Sequence, residues 1–522
     1  MANRFRRFIC ILMALLMTAA LAACAGDGPA ETGSTGADSA ESAAAGSSQA
    51  QGDPAADKPA RVLEVGFGKA CITPTAEQQA AGIRMKGGAC KGKLEDIYAI
   101  TLVFRDEEGN LAVHIVTDLS VGGMADDVSK PQGVCDMARG SIKKKLGIDP
   151  SVVTVGGTHN HSQVDYSSKN EVNAEWVSDV LLPQIVDSVQ QALDDLSPAR
   201  MYIGRSRTNK LTFVRRYWLK DGTFYDGYRE LRDGDVDRHE SEADEEIQLV
   251  KFTREGKKDV VIVNWQTHAT KVSSNGREIC ADFVGTLRDT VEAQLGVDCV
   301  FYQGACGNLA PNSRIAGEGP VSDQGGWDGA QRLGRAVAAY VVDAVESDVF
   351  SEVETGLVKM QRLTVNGEVK RFAEKGDQLY NDALKVQEFS KTATDNYETA
   401  AYAAQFGIET VYHANSIVQN AELGQYKEYE LNIISIGDVA MVTLPMEFFD
   451  TTGMQIKEGS PFDMTLLLGY SCAKGKYVAD IDAWQHGGYE SYCTYFKEGT
   501  AEEAVGYYLE NLNLLYPIRK GE

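Results

Sequence analysis

Basic residues are scarce in this chain: 51 Lys and Arg stand against 75 Asp and Glu, a formal net charge of −24 over 522 residues. That balance argues against nucleic acid as a partner, because affinity for a phosphate backbone is built from Lys and Arg. Acidity otherwise speaks only to solubility. Of the ten cysteines, none stands in a CxxC arrangement, so a thiolate zinc site is not expected. Long apolar runs are missing too. The stretch from Phe8 to Leu21 falls short of the roughly 20 residues that a bilayer core requires. There is no internal repeat and no linker within the last 460 or so residues. Histidine is sparse, seven in all, so any two that stand close together merit attention.

The N-terminus carries a basic segment (Arg4, Arg6, Arg7), the apolar run and small residues leading into Cys24. This is an export signal, and its end, LAAC, resembles a bacterial lipobox in which Cys24 is lipidated. The expectation is a signal peptide over 1–24 and a protein outside the cytoplasm, lipid-anchored to the bacterial cell membrane. Ordinary secretion is the alternative. Residues 25–59 are Ala, Gly, Ser, Asp and Glu with almost nothing large and apolar, and read as a disordered acidic tether. Residues 60–522 form the folded part, larger than a usual single core. Eight cysteines remain there (Cys71, Cys90, Cys135, Cys280, Cys299, Cys306, Cys472, Cys493), enough for one or two disulfides whose pairing spacing cannot supply.

Short apolar or β-branched runs read as buried strands at 99–104, 111–119, 151–155, 259–265, 299–303, 432–444 and 465–470. Between them, 175–196, 282–296 and 326–347 place apolar residues at i, i+3, i+4 and i+7 spacing, the pattern of amphipathic helices. The alternation predicts an α/β fold, a layered domain with mixed β-sheets flanked by helices. The polar stretch 366–410 reads as helical decoration.

Several candidate groups share one address. His159 and His161 of GGTHNHS follow the run SVVTV, His268 follows DVVIVNWQT, and Glu447 follows VAMVTLPM, so each stands just past a strand. In α/β sheets, loops at strand ends converge to build sites. Two imidazoles and a carboxylate are a sensible zinc set. Residues two apart in extended backbone project to one face, which would place His159 and His161 together. Equally, a histidine after a strand is often a hydrogen-bonded loop residue, and spacing leaves the two readings open. His114 lies inside a strand, His239 lies in an acidic loop, and His413 has no functional pattern. His486 stands near a later motif.

VLEVGFGKACITP (62–74), LEDIYAITLVF (94–104), GGTHNHS, VIVNWQTHAT, FYQGACGNLAPN (301–312), TLPMEFF (443–449) and the segment from Tyr477 to GGYE occur in this order. The set resembles the neutral/alkaline non-lysosomal ceramidase family, whose sequences read GxGxxDITP, THTHSGP, NxxxHPT and a late tyrosine twelve residues before YEG. The resemblance covers roughly 62–515. It implies zinc held by His159, His268, Glu447 and Tyr477. It also implies catalytic or substrate contacts from His161, Tyr489 and Arg215, with Arg216 a rival for the arginine role. The implied activity is zinc-dependent cleavage of a linear amide, with a lipid or other N-acyl substrate and water as the attacking group. The family's C-terminal β-domain is not expected here.

The departures bear on substrate. Where the family carries a serine in a QSxxGD loop, this chain has Gln303, Gly304, Ala305, Cys306, Gly307 and Asn308, and Cys306 reads as structural. Where the family has SGPGG, this chain has Ser162, Gln163, Val164, Asp165 and Tyr166. Two alternatives therefore accompany the amidase reading: a metal-dependent esterase or cell-wall or peptide amide hydrolase, and a noncatalytic ligand-binding lipoprotein.

Overall fold

The computed structural model describes residues 62–516 apart from 86, 121–132, 167–169, 226–233, 273–275, 316, 321–324, 348 and 473–475. Cys24, the signal peptide and the tether lie outside the described residues.

Nine strands form one mixed sheet: β1 (Leu63–Cys71), β2 (Tyr98–Asp106), β3 (Leu111–Thr117), β4 (Val153–Gly157), β5 (Ser197–Arg207), β6 (Glu246–Arg254), β7 (Val260–Trp265), β8 (Asp298–Gln303) and β9 (Ser351–Val353). Their order is β8-β7-β6-β5-β1-β2-β3-β4, with β9 on β5. A second sheet contains β10 (Val358–Glu368), β11 (Tyr426–Ile436), β12 (Val439–Leu444) and, beyond the two-residue β13 (Glu447–Phe448), β14 (Met464–Gly469). Its order is β10-β11-β12-β14, while β13 pairs with β15 (Tyr477–Val478).

Side-chain alternation explains the layering, because both faces of the large sheet are apolar. On β2, Ile100, Leu102 and Phe104 face the second sheet and pack with Ile434, Met441 and Leu466. Ala99 and Val103 face the other way, against α1 (Val134–Leu146) and α2 (Leu182–Asp194) through Ala138, Ile142, Ile185 and Val189. At the opposite edge, Val261, Val263 and Phe301 pack on α3 (Phe283–Leu295) and α4 (Gly326–Glu346) through Leu287, Val291, Val337 and Val341. Gly66 and Gly68 let α2 lie directly on β1, since a Cβ at either position would stand within 2.0 Å of a helix carbonyl oxygen.

Between β10 and β11 the chain inserts α5 (Gln378–Ser390), α6 (Asn396–Ala403) and α7 (Val411–Glu422), which share a small core of Ala383, Val386, Ala403, Ala414 and Ile417. The outer face of the second sheet is covered by α8 (Asp450–Gly459) and α9 (Thr500–Leu515), through Ile456, Ala504, Tyr508 and Leu512. The result is helix, sheet, sheet, helix, the layered α/β arrangement expected. No helix among the described residues is long and apolar enough to cross a membrane.

Only three strand pairs in the two sheets are parallel: β3 with β4, β7 with β8, and β12 with β14. Each sends two C-terminal ends to the same place. Gln303 Nε2, at the end of β8, donates to the carbonyls of Thr158 (3.1 Å) and Thr267 (2.7 Å), so the outer edges of the large sheet meet there. Asn264 on β7 binds the backbone of Leu467 on β14 in both directions, at 2.8 Å each, and fastens the second sheet to that junction.

Candidate metal centre and its surroundings

The meeting of strand ends brings together His159, His161, His268 and Glu447. One nitrogen from each of the three histidines lies within 4.8 Å of the others, an arrangement that can hold a metal ion. Glu447 Oε2 is 3.5 Å from His159 Nε2 and 3.3 Å from His268 Nε2. His161 Nε2 is 3.3 Å from His159 Nε2.

The proton positions follow from the partners. His159 Nδ1 is 2.9 Å from the carbonyl of Ser120, and His268 Nδ1 is 2.7 Å from the carbonyl of Leu309. A carbonyl can only accept, so each Nδ1 carries a proton and each ring turns its Nε2 toward Glu447. Burial first, then the Arg215 charge, lower the His268 pKa to about 4, which keeps this ring neutral. Burial would raise the Glu447 carboxyl, but the His159 imidazole beside it more than reverses this, so Glu447 stands as a carboxylate, its pKa well below the usual range. Acceptor thus faces acceptor. Among the described residues, His268 Nε2 and Glu447 Oε2 are buried without a hydrogen-bond partner, a costly state that a cation between them would relieve. Donors in a tetrahedral zinc site with bonds of about 2.0–2.2 Å lie about 3.3–3.6 Å apart, and the two separations from Glu447 match. The residues fit the ion.

His159 and His161 share a face for a different reason from strand alternation. β4 ends at Gly157 and His159 has a φ of 58°, so the pair sits in a turn. Asn160, fully buried, holds that turn by donating to the carbonyls of Asp118 (3.0 Å) and Cys280 (2.6 Å) and accepting from the Ser162 amide (2.8 Å). A left-handed non-glycine residue within a cluster that can hold a metal is the kind of strain that functional sites retain.

Tyr477 stands opposite Glu447 in the β13–β15 ladder. Its hydroxyl accepts from Arg215 Nη2 at 2.9 Å, and Arg215 also donates to Glu490 Oε1 (2.9 Å) and the Gly307 carbonyl (3.0 Å). Burial pushes the Tyr477 phenol well up, with Arg215 pulling the other way. Burial would discharge Arg215, but Tyr477 and Glu490 more than compensate and keep it charged. Tyr489, half-buried, has its ring centre 5.3 Å from that of Tyr477 and 5.2 Å from that of Tyr412 on α7.

The structure separates the two arginines. Arg216 is 1% exposed and committed to Glu240, Glu490 and the carbonyls of Ala483 and Gly487. It holds the segment that carries Tyr489, whereas Arg215 reaches Tyr477. Glu490 joins the two and was not singled out by sequence reasoning, although it is the residue after Tyr489. Tyr470 was also missed. It follows directly on β14, as the other site residues stand just past their strands, and its ring lies flat on His159.

The remaining histidines are elsewhere engaged. His114 binds Thr154 Oγ1 at 2.8 Å, His239 contacts Glu318 at 2.8 Å, His413 stacks on Tyr492, and His486 contacts Glu240 at 2.7 Å. Cys306 is buried with its sulfur 3.2 Å from the Tyr470 hydroxyl, and burial pushes its thiol up. All eight cysteines of the folded part are free.

Two solved structures are similar over most of the chain. One is a ceramidase complexed with C2, with a TM-score of 0.62 and 18% identity, covering 88% of this chain and 77% of its own. The other is neutral ceramidase from Pseudomonas aeruginosa, with a TM-score of 0.63 and 18% identity, covering 88% of this chain and 76% of its own. The fold is that of the neutral ceramidases. No family model and no curated protein matches the sequence. Within this fold, His159, His268 and Glu447 each stand just past one strand of the three parallel pairs.

Proposed function

We propose that this protein is a zinc-dependent hydrolase that cleaves the linear amide bond of an N-acylated substrate by attack of water. The observation that carries the reading is the convergence of two imidazole Nε2 atoms on one buried carboxylate oxygen, at 3.3 and 3.5 Å. His159, His268 and Glu447 would hold the ion, with Tyr477 the fourth protein ligand. Zinc in such a set supplies Lewis acidity and brings the pKa of a water molecule toward neutrality.

The chain's own residues account for the rest. Hydrogen bonds from Nδ1 to backbone carbonyls fix both imidazoles and their tautomers. Arg215 is a fixed positive charge, clamped by Glu490, and can stabilise an oxygen that gains charge. His161, less buried than His159, can exchange a proton with the leaving amine, and Tyr489 can donate to the substrate amide. Gly304 offers no nucleophile, and Cys306 is kept as the neutral thiol, so no covalent intermediate is required.

The substrate is an N-acyl sphingoid, another ceramide-like lipid or a smaller extracellular N-acyl compound. One observation favours a second reading with a different scissile bond, an ester or a cell-wall or peptide amide. Where the family sequence runs SGPGG, this chain has Ser162, Gln163 and Val164, buried at 0%, 7% and 0% exposure next to the histidine pair. Lipidation of Cys24, supported by the LAAC sequence, would tether the enzyme outside the cytoplasm at a membrane surface. Cys24→Ser should release the protein from membranes.

The test is metal analysis of purified protein followed by hydrolysis of a panel of ceramides, short N-acyl amino acids and esters. Near-stoichiometric zinc with turnover of an amide is expected. Zinc without turnover of any panel member would point to the noncatalytic alternative, and no zinc would overturn the proposal.

A further inference from the structure

Tyr470 packs on His159 and on the residues next to two other groups of the site, Arg215 and His268. Its ring lies on the His159 imidazole with centroids 3.7 Å apart and planes 13° from parallel. It is 1% exposed and packs with Val214, which precedes Arg215, and with Leu309, whose carbonyl fixes His268. Its hydroxyl is anchored 3.2 Å from Cys306 Sγ.

The backbone here is as constrained as the ring. Tyr470 has a φ of 55° and Cys472 one of 52°, conformations that non-glycine residues hold only when their surroundings impose them. The Ser471 amide donates to the Leu444 carbonyl at the end of β12 (3.2 Å), and the Cys472 amide donates to the Val155 carbonyl on β4 (2.7 Å). This turn therefore ties the strand leading to Glu447 to the strand leading to His159. The preceding residue must be small, because a Cβ at Gly469 would stand 2.6 Å from the Gly304 oxygen.

We propose that Tyr470 is a positioning residue that clamps the plane of His159, so that its Nε2 aims at the ion shared with His268 and Glu447. The hydrogen bond to Ser120 fixes one point of the imidazole and leaves the ring free to rock about it. Face-to-face contact with an anchored aromatic removes that freedom. Supporting groups of this kind govern how tightly a preformed site holds its metal. The proposal rests on the metal-site reading above, and its test separates the two.

The experiment measures zinc affinity by chelator competition, and the ligand-field spectrum of the cobalt-substituted protein, for the full chain and its Tyr470→Phe and Tyr470→Leu variants. Phe keeps the stacked ring but gives up the hydroxyl's contact with Cys306, so its affinity should fall by about three- to tenfold, less than for Leu. Leu removes the face and should weaken zinc binding about 10- to 100-fold with a shifted cobalt spectrum. If the parent binds no metal, the metal-site reading fails and the proposal with it. If the parent binds zinc and Tyr470→Leu binds it equally well with an unchanged spectrum, the proposal alone is overturned. Should Tyr470→Leu not fold, Cys306→Ala takes its place, since it frees the hydroxyl end of the clamp. A weakening of about three- to tenfold supports the clamp, and unchanged affinity and spectrum overturn it.

Discussion

Glu447 and Tyr477 are register partners in a two-residue parallel ladder, Glu447 opposite Tyr477 and Phe448 opposite Val478. The ladder places the carboxylate among the imidazoles and the phenol against Arg215 with little freedom for either. Gly307 makes room for this, because a Cβ there would stand 2.4 Å from the Glu447 carbonyl oxygen. The side chain of Glu447 should then have opposite effects on metal binding and on metal-free stability. In Glu447→Gln the amide can donate to an Nε2 lone pair that now faces another acceptor. Zinc affinity is expected to fall by about 10- to 100-fold, while metal-free stability rises by about 1 kcal/mol. Chelator competition and urea unfolding measure the two, and an unchanged affinity would remove Glu447 from the ligand set.

Arg215 and Arg216 should separate activity from stability. Removing Arg215 leaves Glu490 Oε2 still paired with Arg216 Nη1 at 3.1 Å, so Arg215→Met should fold and lose about 10²- to 10³-fold in kcat. Removing Arg216, which is 1% exposed, leaves buried Glu490 with Arg215 and Glu240 with His486 as their remaining partners, frees the carbonyls of Ala483 and Gly487, and should cost about 3–5 kcal/mol in folding. Denaturant unfolding beside turnover checks the pair; equal effects of the two variants on both quantities would show that the arginines act as one structural cluster.

Much of the architecture was legible because buried strands in parallel pairs are almost wholly apolar, as in DVVIVNW and CVFYQ. The strands that escaped include those with a polar face, glycines or a charged stretch: β1 (LEVGFGKAC) is broken by two glycines and charge, β5 (SPARMYIGRSR) and β10 (VKMQRLTVNGE) alternate with half-exposed side chains, and β6 (EIQLVKFTR) begins and ends in charge. The second sheet therefore appeared only through its apolar β11–β12 and β14 runs. Within the site, His159, His268 and Glu447 were visible as strand-end residues. The reason for the His159–His161 pairing was not, since a left-handed residue supported by Asn160 leaves no periodic trace. Tyr470 obeys the same strand-end rule, but an aromatic after an apolar run reads as core until its neighbour is known.

Acid should destabilise the fold partly through histidines buried in neutral form. Burial lowers His413 to about 4, against an unfolded value near 6.5, and it lies on α7 stacked 4.4 Å from Tyr492. Between those two values the unfolded chain holds a proton that the native chain does not, so stability falls as pH falls. Burial also raises Asp282 and Asp450 to about 6 and Glu95 to about 8, and these groups act in the opposite direction. The effect is therefore read as a difference. His413→Gln should flatten the stability–pH slope by about 1.4 kcal/mol per pH unit between about pH 6 and 4.5. Parallel curves for parent and variant would contradict the assignment.

Cysteine labelling should follow burial. Cys71 is exposed, whereas Cys306 is 1% exposed with its thiol pushed up by burial. Iodoacetamide at about pH 8 is expected to modify Cys71 in the native protein and Cys306 only after unfolding. Peptide mass mapping distinguishes the sites. Rapid native labelling of Cys306 would reopen its candidacy as a nucleophile.

Gly304 occupies the position where the resembled family carries serine, and the question is whether restoring the serine would restore a nucleophile. It should not. A Cβ at 304 would lie 2.6 Å from Gln266 Oε1 and 3.0 Å from Gln266 Cβ. Gln266 cannot retreat cheaply, because its Nε2 donates to the Asp244 carbonyl at 2.6 Å beneath the loop. Both groups are buried, so the added atoms displace backbone or break that bond. Gly304→Ser is expected to cost about 1–3 kcal/mol in stability through overpacking, with no gain in turnover on any amide or ester. The pair Gly304→Ser with Gln266→Ala should recover part of the lost stability by vacating the space. A gain in activity from Gly304→Ser by itself, with covalent capture of an acyl group on residue 304, would show that the pocket still accommodates nucleophilic chemistry and that water attack is not the route this chain is confined to.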